Sequence, residues 1–356
     1  MAITLPLPPL PPLPPLPGGG GNITQATRFK PDFQQWLQSH GYGAFDFAKN
    51  PNKLPSFGGR SSPDEKLTRE PVILVHGNTD TAAAWDKAVS AYKKAGYKDS
   101  EIYVMSWGDG KMANAGKNYH SEKNVREVRA FIQAVKEYTG AEKVDVVGHS
   151  MGVTLARKAI KGGTGIDQAS PGGTYDLGKP INDVVDTFVG ISGANKGLTS
   201  CDGWGGSNPT CSTENGFSTR SKFLADLNAD PTREGDHVYA IYSTSDGILG
   251  SGPNGASRTA PIAGEDGEKV YSNLNHFQSR DQTGDVQVKM INDHVVPQVT
   301  TPDSPDWPSW PTWPTFPFPS WNLPGMPRWD SIPWNWDLAT KPDCGCGDKK
   351  AAAEAA

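Results

Sequence analysis

Ser150 has the setting best suited to chemistry, at the centre of Gly148-His149-Ser150-Met151-Gly152. It closes the apolar run KVDVVGHS (143–150) and opens the helix-period segment 151–161. A tight strand-to-helix turn lifts a hydroxyl clear of a sheet and crowds the positions two before and two after it, so small residues are needed at both. A helix start that only caps backbone N–H groups would not require both glycines. A serine in such a turn is a nucleophile once it has a base, an acid to orient the base, and N–H donors for an oxyanion.

The remaining parts are present in workable order. His76-Gly77-Asn78 ends the preceding core run, PVILVHG (71–77). There Asn78, through its main chain, joins the N–H of Met151 as the second oxyanion donor, while His76 packs beneath the site. In this kind of site the acid and then the histidine follow the serine along the chain. Asp246 closes HVYAIYSTSD, where a carboxylate can reach a histidine. Asp236 precedes that strand, and Asp266 lies in a Gly-rich loop. His276 and His294 are the histidines beyond Asp246. His276 falls in the loop YSNLNHFQS, between the last weak strand and the last helix, whereas His294 lies past that helix, where it suits the helix dipole. The expected chemistry is acyl transfer from an ester: Ser150 attacks, His276 takes its proton, Asp246 orients the imidazole, and water clears the acyl-enzyme. No metal or cofactor is implied.

Elements must bring these positions together. Apolar runs at 71–77, 101–107, 143–150, 184–193, 237–243 and, more weakly, 269–273 alternate with helical patterns at 81–95, 121–139, 151–161 and 282–292. Near-continuous apolar strands alternating with amphipathic helices predict a mostly parallel central sheet with helices on both faces, an α/β class. In such sheets ligands bind beyond the carboxyl ends of the strands, where Asn78, Ser150 and Asp246 fall.

Composition limits the alternatives. The formal charge is −5, from 34 basic and 39 acidic residues, which provides no footprint for nucleic acid. No apolar run is long enough for a transmembrane helix, and the N-terminus does not read as a signal peptide. Eight of the 31 prolines lie before Gly18, and eleven lie from Pro297 to Pro333 together with seven of the 11 tryptophans. Proline lacks an N–H and fixes φ, so neither end continues the sheet. The expected organisation is a Pro/Gly-rich arm (1–26), a catalytic domain with an N-terminal extension (27–297) whose aromatics pack on the domain surface, and a Pro/Trp-rich tail (298–356). Cys201 and Cys211, ten apart in CDGWGGSNPTC, would clamp a loop with little core of its own, and point to secretion. Cys344 and Cys346 are too close for an ordinary bridge. Asn22-Ile23-Thr24 fits a glycosylation acceptor.

VILVHGN, KVDVVGHSMGVTLARK, ISGANKGLTSC and the Asp246 and His276 loops resemble the class 2 lipases among the α/β-hydrolases. They equally resemble the related extracellular poly(3-hydroxybutyrate) depolymerase with a lipase-type serine box. The likeness covers about residues 71–292. It implies an α/β-hydrolase fold, ester hydrolysis, Ser150, Asp246 and His276 as the catalytic set, Asn78 and Met151 as the oxyanion hole, and a bridged loop at Cys201 and Cys211. The substrate is left between acylglycerol or related lipid esters and a polyester surface, onto which the aromatic tail could dock. Insertions at 162–179 and 198–220 are candidates for a lid or a groove wall. A non-catalytic protein with PLPPLPPLPPLP as a ligand for an aromatic groove is the reading from another class, against which the ordered set of site residues counts.

Overall fold

The computed structural model describes residues 28–47, 56–204 and 208–297. The N-terminal arm, Asn22, the Pro/Trp-rich tail and Cys344 and Cys346 lie outside the described residues.

Ten strands occur among the described residues: β1 (Arg28–Phe29), β2 (Phe57–Gly58), β3 (Val72–Val75), β4 (Ile102–Met105), β5 (Val144–His149), β6 (Thr164–Ile166), β7 (Thr174–Asp176), β8 (Val185–Ile191), β9 (His237–Ser243) and β10 (Gly267–Tyr271). Eight of them form one sheet in the order β1-β2-β4-β3-β5-β8-β9-β10. Every neighbouring pair is parallel except β2 with β4. The helices are α1 (Pro31–Ser39), α2 (Asp86–Lys94), α3 (Glu122–Thr139), α4 (Met151–Lys161), α5 (Lys222–Ala229), α6 (Ala256–Thr259), α7 (His276–Asp281) and α8 (Gly284–Asp293). This is the mostly parallel central sheet with helices that the alternating runs predict.

Alternation along the strands divides the core in two. Val72 and Leu74 of β3 join Ile102, Val104, Val147 and Ile241 in a cluster with Trp85, Tyr92 and Met290 from the side of α2 and α8. Ile73 and Val75 join Tyr103, Met105, Val146 and Phe188 in the other cluster, with Phe131, Leu155 and Ile160 of α3 and α4. Successive side chains point to opposite faces, so both faces must be apolar and both must be covered. Helix limits follow local chemistry. The Ser121 hydroxyl accepts from the Asn124 N–H to start α3, and Gly140, left-handed at φ 65°, ends it.

Three features differ from the sequence expectation. The aromatic N-terminal extension is part of the core and not a surface layer: Phe29, Phe33, Leu37 and Phe47 are buried, and Phe33 packs against Tyr103 and against Phe131 and Tyr138 of α3. Pro31 at the first helical position and Asp32 in the first turn begin α1. His276 does not sit in a loop but opens α7. Asn275 caps that helix by accepting from the Phe277 and Gln278 N–H groups, and Gln278 reaches back to the Asn275 N–H. The insertion at 162–179 forms the β6–β7 hairpin, strapped to α3 by hydrogen bonds from Arg126 Nη2 to Asp176 O (2.8 Å) and from Arg129 Nη2 to Lys179 O (2.5 Å). It braces α3.

Candidate active site

Ser150 stands between β5 and α4 with φ 54° and ψ −124°, a conformation that non-glycine residues rarely hold. Both neighbouring glycines have a steric reason. A Cβ on Gly152 would come within 2.3 Å of Val75 O and 2.4 Å of His76 O, and one on Gly148 within 2.8 Å of the Val153 N and Cα. These are backbone atoms of the next strand and the next helix, which cannot yield. Gly77 is equally confined, since its Cβ would lie 2.8 Å from Ser150 Cβ. The turn after β3 therefore lies directly against the serine. Of the four non-glycine residues with positive φ among those described, Thr79, Ser150 and Ser192 all stand at the carboxyl ends of β3, β5 and β8, where strain commonly marks a functional site.

Asp246 follows β9 and is fully buried. Its Oδ1 accepts from the Ile248 N–H (2.9 Å) and the Leu249 N–H (2.8 Å), and its Oδ2 accepts from His276 Nδ1 at 2.8 Å. Burial pushes the carboxyl up, but the hydrogen bond and charge of His276 and the Leu249 N–H outweigh it and hold the acid below its ordinary value. Asp236 and Asp266 are at the other end of the sheet, paired with Lys143 and with Arg233 respectively. His294 is there as well, with Nε2 at 2.9 Å from Asp186 Oδ2 and its ring stacked on His237.

His149 joins the serine turn to the histidine helix, a role that motif reading passed over. Its ring is fully buried, and its Nε2–H donates to the main-chain oxygen of His276 at 3.1 Å. Burial, then the charges of His276 and Arg280, hold His149 well below the ordinary histidine range, so it stays neutral and keeps this donor geometry. His76 is packed beneath the site, as expected. It is stacked on Trp107, accepts from the Trp107 N–H at Nε2 (2.9 Å), and its own carbonyl accepts from Trp107 Nε1 (2.8 Å).

Met151 opens α4, so its N–H belongs to the first turn, where no intrahelical acceptor exists. Both polar atoms of the Asn78 side chain have a partner. Its Nδ2 donates to Ala115 O (2.9 Å) and its Oδ1 accepts from Asn118 Nδ2 (2.7 Å). The Cys201–Cys211 disulfide is formed. The loop it closes leans on the same segment, with the Thr210 hydroxyl bonded to Ala115 O and Asn118 O. The one cluster of potential metal ligands among the described residues, Glu70, Asp145 and Asp186, lies at the amino ends of the strands, away from Ser150.

The model of the lipase (class 2) family matches residues 69–289, and the chain belongs to that family. Its fold is similar to that of Bacillus licheniformis lipase BlEst2 in the propeptide form, at 14% identity over 70% of this chain and 55% of that one, with a TM-score of 0.48. It is similar to Aspergillus fumigatus lipase B at 16% identity over 68% of this chain and 57% of that one, with a TM-score of 0.44. For Paleococcus ferrophilus monoacylglycerol lipase the figures are 16% identity, 67% and 98% coverage, and a TM-score of 0.42. The chain thus spans little more than half the length of the first two.

Proposed function

We propose that the protein is a serine carboxylic ester hydrolase, of lipase or esterase type, acting through an acyl-enzyme on acylglycerol or related lipid esters. Family membership supports ester hydrolysis. The observation that carries the assignment of residues is the hydrogen bond from His276 Nδ1 to a buried, ionised Asp246. This bond fixes the tautomer that leaves Nε2 free to accept a proton.

In this reading the Ser150 hydroxyl adds to the ester carbonyl while its proton passes to His276 Nε2. Asp246 stabilises the imidazolium. The N–H groups of Met151 and Asn78 hold the oxyanion, Asn78 through its main chain because its side chain is engaged elsewhere. The imidazolium then protonates the departing alcohol. Water, deprotonated by His276, releases the acid and restores the serine.

A fluorophosphonate probe tests the assignment: one equivalent labels the wild type, and Ser150→Ala abolishes both labelling and hydrolysis of a soluble p-nitrophenyl ester. Persistent turnover in Ser150→Ala would refute it. We also infer an oxidising compartment, supported by the disulfide. Peptide mapping without reductant should recover the Cys201–Cys211 pair in protein from the culture medium, and protein confined to the cells with both cysteines as free thiols would count against export.

A further inference from the structure

Two charged residues connect the halves of this site without belonging to it. Arg280 lies one turn beyond His276 on α7, and residues four apart share a helix face. The face that brings the imidazole to Asp246 therefore brings the guanidinium to the turn after β3. Arg280 Nη1 is 2.8 Å from Asp80 Oδ2, and Nε is 2.8 Å from Asp281 Oδ1. The Arg280 side chain is only 7% exposed and that of Asp80 22%. The Arg280 main-chain oxygen accepts from Gln287 Nε2 (3.1 Å), which fastens the end of α7 to α8.

Asp80 follows Asn78 by two residues, with Thr79 at φ 64° between them. A left-handed threonine is strained and persists only where its neighbours are held on both sides. Upstream, Asn78 is held by Ala115 and Asn118. Downstream, Asp80 is held by Arg280, and the Ala82 N–H by the Ser106 hydroxyl at 2.9 Å. Burial pushes the Asp80 carboxyl above its ordinary value against the pull of Arg280. A buried ion pair is weak evidence for net stability, but it fixes the separation of the two segments it joins.

We propose that Asp80 and Arg280 are a positioning pair that sets the oxyanion turn at a fixed distance and orientation from the base. Neither touches the substrate. Arg280 acts on the helix that carries His276, and Asp80 acts on the turn that presents the Asn78 N–H. The inference rests on the assignment of Ser150, Asp246 and His276 made above.

The test uses the full chain. Fluorophosphonate titration counts functional serines in the wild type, Arg280→Met, Asp80→Asn, the double variant and Arg280→Lys, and kcat and KM are then measured per titrated site. Because an oxyanion donor acts mainly in the transition state, Arg280→Met should lower kcat per site by about 10- to 100-fold with KM little changed. Inhibition by a boronic acid should weaken by the same factor as kcat/KM. The double variant should be no worse than Arg280→Met, and Arg280→Lys should recover part of the loss. Unchanged kcat per site with fewer titratable serines would overturn the inference in favour of a purely structural pair, and so would losses that multiply in the double variant. A wild type that does not titrate would overturn the underlying assignment, and the inference with it.

Discussion

Asp246 has both carboxylate oxygens engaged, Oδ1 with two backbone N–H groups and Oδ2 with His276. Asp246→Asn therefore keeps a group that can still accept from Ile248 and Leu249, while its amide faces Nδ1 as a donor and favours the wrong tautomer. We expect kcat to fall about 10⁴-fold, with the far-UV spectrum and Tm near those of the wild type. A loss below tenfold would remove Asp246 from the mechanism. Because the folded-state pKa of Asp246 is lowered, its stabilising contribution is complete at neutral pH and is lost as pH falls below the ordinary carboxylate value. At this scale the placement of Ser150, Asp246 and His276 beyond the strand ends was legible because each follows an apolar run that must end at one edge of the sheet. His149, Asp80 and Arg280 were not. Their roles depend on what stands opposite them, 127 residues away for His149 and 200 for Arg280 and Asp80.

Elements carry the next level of control, through contacts behind the serine turn. His120 precedes α3 and is fully buried. It lies between Asn215 O, 2.9 Å from Nδ1, and the Thr154 hydroxyl, 2.6 Å from Nε2, with Phe223 stacked on its ring. The Thr154 hydroxyl oxygen also lies 3.1 Å from Met151 O. One imidazole thus ties the 198–220 insertion and α5 to the first turn of α4. Burial pushes its pKa down to about 4. The unfolded chain therefore binds a proton that the folded one refuses, and stability is lost as pH falls from about 6.5 toward 4. The total is on the order of 3 kcal/mol. Urea midpoints at pH 7 and pH 5 should show this decline in the wild type and a flatter profile in His120→Gln, which cannot titrate in this range. Equal slopes would rule out His120 as the source. Among the elements, the long helices and the six core strands were readable from period and apolarity. HFQSRD of α7 has no apolar period, and its only local signal is the Asn275–Gln278 capping box. The two-residue strands β1 and β2 are too short for any period to show.

For the whole molecule, the end of the sheet away from Ser150 is where acid and base stability meet. Asp145 is buried beside Glu70 and Asp186, and burial first, then those two charges, raise its pKa well above the ordinary value, with the Thr187 N–H opposing. A raised carboxyl has the opposite sign to His120: the folded state holds the proton, and stability declines as pH rises above about 3.9. Asp145→Asn, which mimics the protonated acid, should raise Tm more at pH 8 than at pH 5, as measured by calorimetry. A variant less stable than the wild type at pH 8 would show that the charge is compensated. The aromatic N-terminal segment has a practical consequence at the same scale. The family match begins at residue 69, yet Phe29, Phe33 and Leu37 fill the core against Phe131 and Tyr138. Homology and folding thus draw different borders. An expression fragment trimmed to 69–289 would retain the whole proposed catalytic set and still leave the outer wall of α3 bare, greasy and prone to self-association.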